Sequence, residues 1–199
     1  ADAGFNQEWV EEAHFIPTGN RFFSDDQLSG SYHGCPFRRS DVLTQQVTHT
    51  GKTTTVTTLF EGPWMVFDFP KNFGHYLLVR EKEFLANGKP GGWFSGLKTE
   101  RIEMENEAFN EKFEIYAEDE QEAFYLLTPH FMEKLEQAER EIAGRMYYGF
   151  FDRQFHVAVD NRQNSFEPPV FSAITLPQLN EIRKEARLIC ELIDLLQLT

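Results

Sequence analysis

The sequence predicts an α+β domain: an antiparallel, strongly curved sheet of six to eight strands packed by two main helices, with barrel-like closure left open. Three observations carry this. Several runs alternate apolar and polar residues with the period of two that half-covers a strand. Two segments instead repeat their apolar residues every third or fourth position behind helix-capping residues. The links between the strand-like runs are short, which favours antiparallel neighbours over crossovers.

In chain order, Asn6 to Ile16 places Trp9, Val10 and Ala13 on one side of a short helix, which Pro17 to Gly19 end. Asn20 to Phe37 reads as irregular because Gly30, Gly34 and Pro36 interrupt it. Residues 1–40 are accordingly assigned to a helix and irregular arm, and 41–199 to a single α+β domain. Asp41 to Thr50 and Thr53 to Glu61 are rich in threonine and β-branched residues, with Gly51-Lys52 as the hairpin turn. Trp64 to Phe69 is apolar on both faces and so central in its sheet. Pro70 to Asn72 read as a turn, and His75 to Arg80 as the returning strand. Lys82 to Thr99 is glycine-rich, with Trp93 and Phe94 in its middle, and Arg101 to Glu105 is a further strand. Phe113, Ile115 and Ala117 alternate with Glu114 and Tyr116 as a strand with one face covered.

Asp119 and Glu122 form a capping pair for a short helix through Leu127. Thr128 caps the next helix, with Pro129 at its first position and Phe131, Leu135, Ala138 and Ile142 as its buried stripe. Met146 to Phe151 and Gln154 to Val159 read as a hairpin around Asp152-Arg153, although that turn lacks the favoured glycine. Thr175 and Gln178 cap the last helix, whose stripe is Leu179, Ile182, Ala186, Ile189, Ile193 and Leu196. Leu188, Leu192, Leu195 and Leu198 make its end apolar nearly all round. That end is either deeply buried or paired with a second copy through Leu192, Leu195 and Leu196.

The run FEGPWMVFDF (Phe60 to Phe69), NEAFNEKF (Asn106 to Phe113), the segment EIYAEDEQEAFYLLTP and NSFEPP (Asn164 to Pro169) occur in this order along the chain. Together they resemble the bacterial family of unknown function numbered three-one-three-seven. The resemblance implies a soluble, membrane-associated domain that follows N-terminal membrane-spanning helices. It implies no catalytic residue. The cytoplasmic side is expected separately, from reading Cys35 and Cys190 as reduced thiols.

Composition narrows the function classes. A net charge of -13 argues against a nucleic-acid footprint, which needs clustered lysine and arginine facing phosphate, so no nucleic-acid partner is expected. Between Glu100 and Glu141 lie fourteen acidic and four basic residues, so most of the excess sits in one segment. We read it as a solvated helix face, the alternative being a surface for a basic partner or a divalent cation. Cys35 and Cys190 give no disulfide framework. No stretch approaches the roughly 18 consecutive apolar residues of a membrane helix. The chain opens on Ala1 rather than methionine, consistent with an excised piece whose preceding segment would hold the anchor.

Motifs that carry chemistry are missing. His33 and Cys35 stand two apart without the second ligand pair that zinc requires, so no metal site is assigned. Neither GxxxxGK[ST], GxGxxG, HExxH nor GxSxG occurs, and no cofactor is expected. The first functional expectation is a non-enzymatic binding or scaffolding domain for a protein or lipid partner, contacting it through Gly91, Gly92, Trp93 and Phe94. A hydrolase using Asp or Glu with His75 or His156 is the second, and a homodimeric structural module the third.

Overall fold

The computed structural model describes residues 4–82, 96–162 and 176–197. Gly91, Gly92, Trp93, Phe94, the Thr175 cap and the NSFEPP run lie outside these residues. Among the described residues six strands form one antiparallel sheet that does not close, so the barrel-like outcome is set aside. Helix α1 spans Gln7–Glu12, capped by Asn6, whose side chain accepts from the Glu8 and Trp9 amides. Strand β1 (Arg21–Tyr32) pairs with β2 (Cys35–Thr50), which pairs with β3 (Thr53–Glu81). Strand β4 (Glu100–Ile102) pairs with β5 (Phe113–Ala117), and β5 with the far end of β3. Strand β6 (Arg145–Asp160) runs along the opposite side of β3, since Trp64 and Leu77 each have a partner on both sides.

Four expectations are corrected here. Asn20 to Phe37 is not irregular but holds β1 and the start of β2. Gly30 is a strand residue over which the Phe37 ring lies, so close that a Cβ would meet that ring at 2.6 Å. Pro70 to Asn72 do not reverse the chain: β3 continues through them, bulged, for 29 residues. Asp152 and Arg153 do not turn a hairpin but interrupt one 16-residue strand, β6. Finally, β5 is buried along its whole length rather than on one face, because Glu114 is held by Arg80 and Tyr116 faces a second core.

Alternation along β3 explains the two cores. Phe67, Phe69, Phe73, Leu77 and Val79 face one way, into a core shared with α2 (Glu107–Lys112), α3 (Glu120–Leu126), α4 (Pro129–Glu141) and α5 (Leu176–Gln197). Phe60, Trp64, Val66, Tyr76 and Leu78 face the other way, onto Phe5, Val10, Ala13, Phe15 and Ile16 of the N-terminal arm. The molecule is therefore three layers: helices, sheet, arm. Phe15 comes so near β6 that a Cβ on Gly149 would meet its ring at 2.8 Å.

The helices follow their sequence signals. Asp119 accepts from the Glu122 amide at 2.7 Å, and Thr128 from the Phe131 amide at 3.2 Å, with Pro129 opening α4. Phe131, Leu135, Ala138 and Ile142 are all buried. At the end of α5, Ile189, Leu192, Ile193 and Leu196 are buried in the chain's own core and Leu195 packs against it, while Ala186 is exposed rather than in the stripe. Lys134 joins α4 to α5 through Glu191 at 2.8 Å.

Candidate functional site

The site arises from a mismatch between β3 and β6. From Asp68 to Leu77, β3 advances nine residues while β6 advances four, from Gln154 to Phe150. The excess in β3 must bulge out of the sheet, leaving backbone groups without strand partners, and such groups need partners elsewhere. Side chains supply them. Arg153 donates to the Phe69 and Pro70 carbonyls at 3.2 and 2.9 Å. Glu122 accepts from the Gly74 amide at 2.8 Å, and Glu118 from the Tyr76 amide at 2.9 Å. On β6, Asp152 takes φ 54, a left-handed conformation that aspartate tolerates better than most residues. This changes which residues face which core: Tyr147 and Phe151 look toward the arm before the bulge, His156 and Ala158 after it.

The bulge forms one side of a cleft of about 470 Å³. Asn72 to Tyr76 line it from β3, Phe151, Asp152 and Gln154 from β6, Trp9, Glu12 and Ala13 from the arm, with Glu118 and Leu97 completing it. Among the described residues no lysine or arginine lines this cleft. His75 stands half-exposed at the rim and donates from Nδ1 to Glu122 at 2.8 Å. That bond, with the nearby acidic charges, raises its pKa from the ordinary histidine value.

Behind the aromatic wall lies the second histidine of interest. His156 is fully buried and stacks on Phe151 at 4.0 Å, with Trp9, Phe15 and Trp64 around it. The Trp64 indole can only donate, and it reaches Nδ1 of His156 at 3.2 Å, so Nδ1 must be unprotonated. Burial, reinforced by the Arg38 charge, holds the imidazole well below its usual pKa and therefore neutral. Its Nε2 has no hydrogen-bond partner among the described residues.

The sequence singled out His75 and His156, and the structure gives them different partners and surroundings rather than one shared catalytic pair. Gly91, Gly92, Trp93 and Phe94 lie outside the described residues, though Leu97, close behind them in sequence, lines the cleft. Cys35 is buried and donates to the Asp68 carbonyl at 3.0 Å, and burial pushes its thiol up to about 11, which makes it a poor nucleophile. His33 and Tyr32 both bond Asp194 of α5 at 3.0 Å, clasping the β1–β2 turn to the helix. No group of three or more histidine, cysteine or acidic residues is placed to hold a metal among the described residues. Sequence reasoning missed Trp9, Tyr76, Glu118, Phe151 and Asp152 as site residues. The one signal for them was the polar pair Asp152-Arg153 inside an otherwise apolar run.

A family described as protein of unknown function, DUF3137, matches residues 58–198. No curated protein gives a significant match. Among solved structures, the crystal structure of the mycobacterial trehalose monomycolate transport factor A, TtfA, aligns over 85% of this chain and 72% of that chain. Its identity is 9% and its TM-score 0.45, a likeness too distant to carry a role across. No helix among the described residues is long and apolar enough to cross a membrane.

Proposed function

The chain belongs to the DUF3137 family of proteins of unknown function, and from that premise we propose that it is a binding or scaffolding domain which engages its partner at the bulge cleft. The observation that carries this reading is the backbone accounting around the bulge. Arg153, Glu122 and Glu118 stabilise an interruption of the central strand that a purely structural sheet would not require, and the interruption opens into a concave surface. Attachment at the cytoplasmic face of a membrane, through a segment preceding this chain, is the location that fits the reading. The residues before Ala1 test that part: long apolar runs there support it, and a wholly polar sequence ends it.

Quantitative pull-down from the source cells, repeated with each purified partner, tests the binding role. Phe151→Ala and the double change Trp93→Ala with Phe94→Ala are expected to lose a partner that the parent chain retains. If both variants keep every partner at parental levels, the cleft and the glycine-rich segment are not the contact surface.

One observation favours a second reading, a hydrolase. An imidazole oriented by a carboxylate at the edge of a cleft is the arrangement of a general base. Hydrolysis of ester or phosphoester substrates that disappears in both His75→Gln and Glu122→Gln would support it. Activity indifferent to both changes would remove it.

A further inference from the structure

Charged residues make up 26% of the chain and leave it at -13, yet one stretch carries almost none. From Val42 to Phe60 the one charged residue is Lys52, and threonine dominates. This stretch forms the hairpin of β2 and β3, in which Thr48 to Thr57 are exposed throughout. The hairpin runs past its neighbours: β1 reaches β2 no further than Gln45, and β6 pairs with β3 from Trp64 onward. Among the described residues, two strands stand there without a third, an arrangement that is marginal in water by itself.

The backbone groups along the hairpin show where a further strand fits. The Asn20 side chain donates to the Val47 carbonyl at 2.8 Å and accepts from the Val47 amide at 2.7 Å, so both groups point out of the hairpin. Val47 lies opposite Val56. In an antiparallel pair, opposite residues alternate between exchanging both hydrogen bonds and exchanging neither. The amide and carbonyl of Val56, and those of Thr54 two residues before it, therefore point outward along the free edge of β3. Farther on, Arg162 covers that edge: its guanidinium donates to the Thr58 carbonyl at 2.9 Å and its amide to the Glu61 carbonyl at 3.0 Å. Asn20 thus closes the β2 edge at Val47 and Arg162 the β3 edge from Thr58. Between them, Thr54 and Val56 hold four outward backbone groups with no partner among the described residues, and such groups need one. Exposed edges are ordinarily blunted by a charge, a proline or a bulge, and Thr53 to Thr57 contain none of these.

We propose that this edge pairs with the same edge of a second copy of the chain, joining two hairpins into one four-stranded antiparallel sheet. The two-fold axis passes beside Thr55, Thr54 of each copy lies opposite Val56 of the other, and four hydrogen bonds take up the outward groups. A two-fold contact sets residues near the axis against their own duplicates, so a charged edge repels itself. On a chain of -13, an edge of threonine and valine is where two copies approach with least repulsion, and such residues also make favourable cross-strand pairs. Val56, 45% exposed in the single chain, gains a neighbour on its open side. Four bonds along a short ribbon cover less than the roughly 1,600 Å² of a standard interface, so the dimer is weak and dissociates on dilution.

Sedimentation of the full chain between roughly 10 µM and 1 mM, with the Thr54 and Val56 amides followed by NMR, tests the pairing. The parent is expected to shift toward dimer across this range, and more so as salt screens the repulsion between the two acidic chains. The two amides should move together with it. Thr55→Lys and Thr55→Glu each set like charges face to face and should stay monomeric while melting like the parent. An equimolar mixture of the two variants should associate at least roughly tenfold more tightly than either alone, a rescue that a folding defect cannot produce. A parent that is monomeric at about 1 mM, or whose association survives both substitutions, overturns the proposal. A mixture no tighter than its components overturns the two-fold pairing. If the parent stays monomeric and Thr55→Lys instead loses a partner in the pull-down, the edge serves another protein's strand and the proposal falls. The cleft reading stands apart from all these outcomes, since none of the hairpin residues lines the cleft.

Discussion

His156 shows how a single buried polar side chain fixes its surroundings. The Trp64 indole demands an acceptor, the imidazole can supply it only when neutral, and the arm closes over both. Replacing His156 by phenylalanine leaves the indole N–H without its acceptor, which should cost about 1–3 kcal/mol in chemical denaturation. The pH dependence has a definite sign. The folded-state pKa lies below the unfolded value of about 6.5, so the neutral imidazole's contribution is complete above that pH and is lost as pH falls below it. The parent chain should therefore lose up to about 1.4 kcal/mol per pH unit more than His156→Phe across that range. Parallel stability curves for the two proteins would show that His156 is not held neutral.

At the scale of elements, the bulge explains which parts of the sequence were legible. The starts of α3 and α4 were read correctly because a cap is a local device: Asp119 and Thr128 bond amides three residues on, whereas the short helix α2, capped in the same way by Asn106, was not read from the sequence. Strand limits were not legible in the same way. Pro70, Asn72 and Gly74 are turn-forming residues, and the pair Asp152-Arg153 is polar inside an apolar run. A bulge needs the same residue types as a turn. What distinguishes the two is the partner strand, and Phe73 opposite Asp152 is a contact between residues far apart in the chain. Gly30 misled for a related reason, since its lack of a side chain serves the Phe37 ring across the sheet. The cleft stayed hidden because it exists only where two bulged strands and the arm meet. If Asp152 is there for its backbone conformation, Asp152→Val should destabilise by about 1–2 kcal/mol and Asp152→Gly should be nearly neutral in urea unfolding. Equal effects from both would point to the carboxylate instead.

For the whole molecule, the consequence is that the N-terminal arm is one of three layers. Phe5, Val10, Phe15 and Ile16 are buried against the sheet. At about 1.5–3 kcal/mol for each large apolar side chain, their removal forfeits an amount comparable to the stability of a typical domain. A chain beginning after Pro17 should therefore fail to unfold cooperatively in calorimetry and should aggregate through the exposed Phe60, Trp64 and Val66 face. A sharp transition near the parent's midpoint would mean that the arm contributes little.

The cleft, the two cores and the placement of both histidines all depend on β3 and β6 running side by side as single bulged strands. Backbone NOEs in solution test this most directly. The account predicts cross-strand contacts between Trp64 and Ala158 at one end and between Arg80 and Tyr147 at the other. Contacts instead between Phe151 and Gln154, and between Met146 and Val159, would mean that β6 folds back on itself as a hairpin and that the cleft does not form.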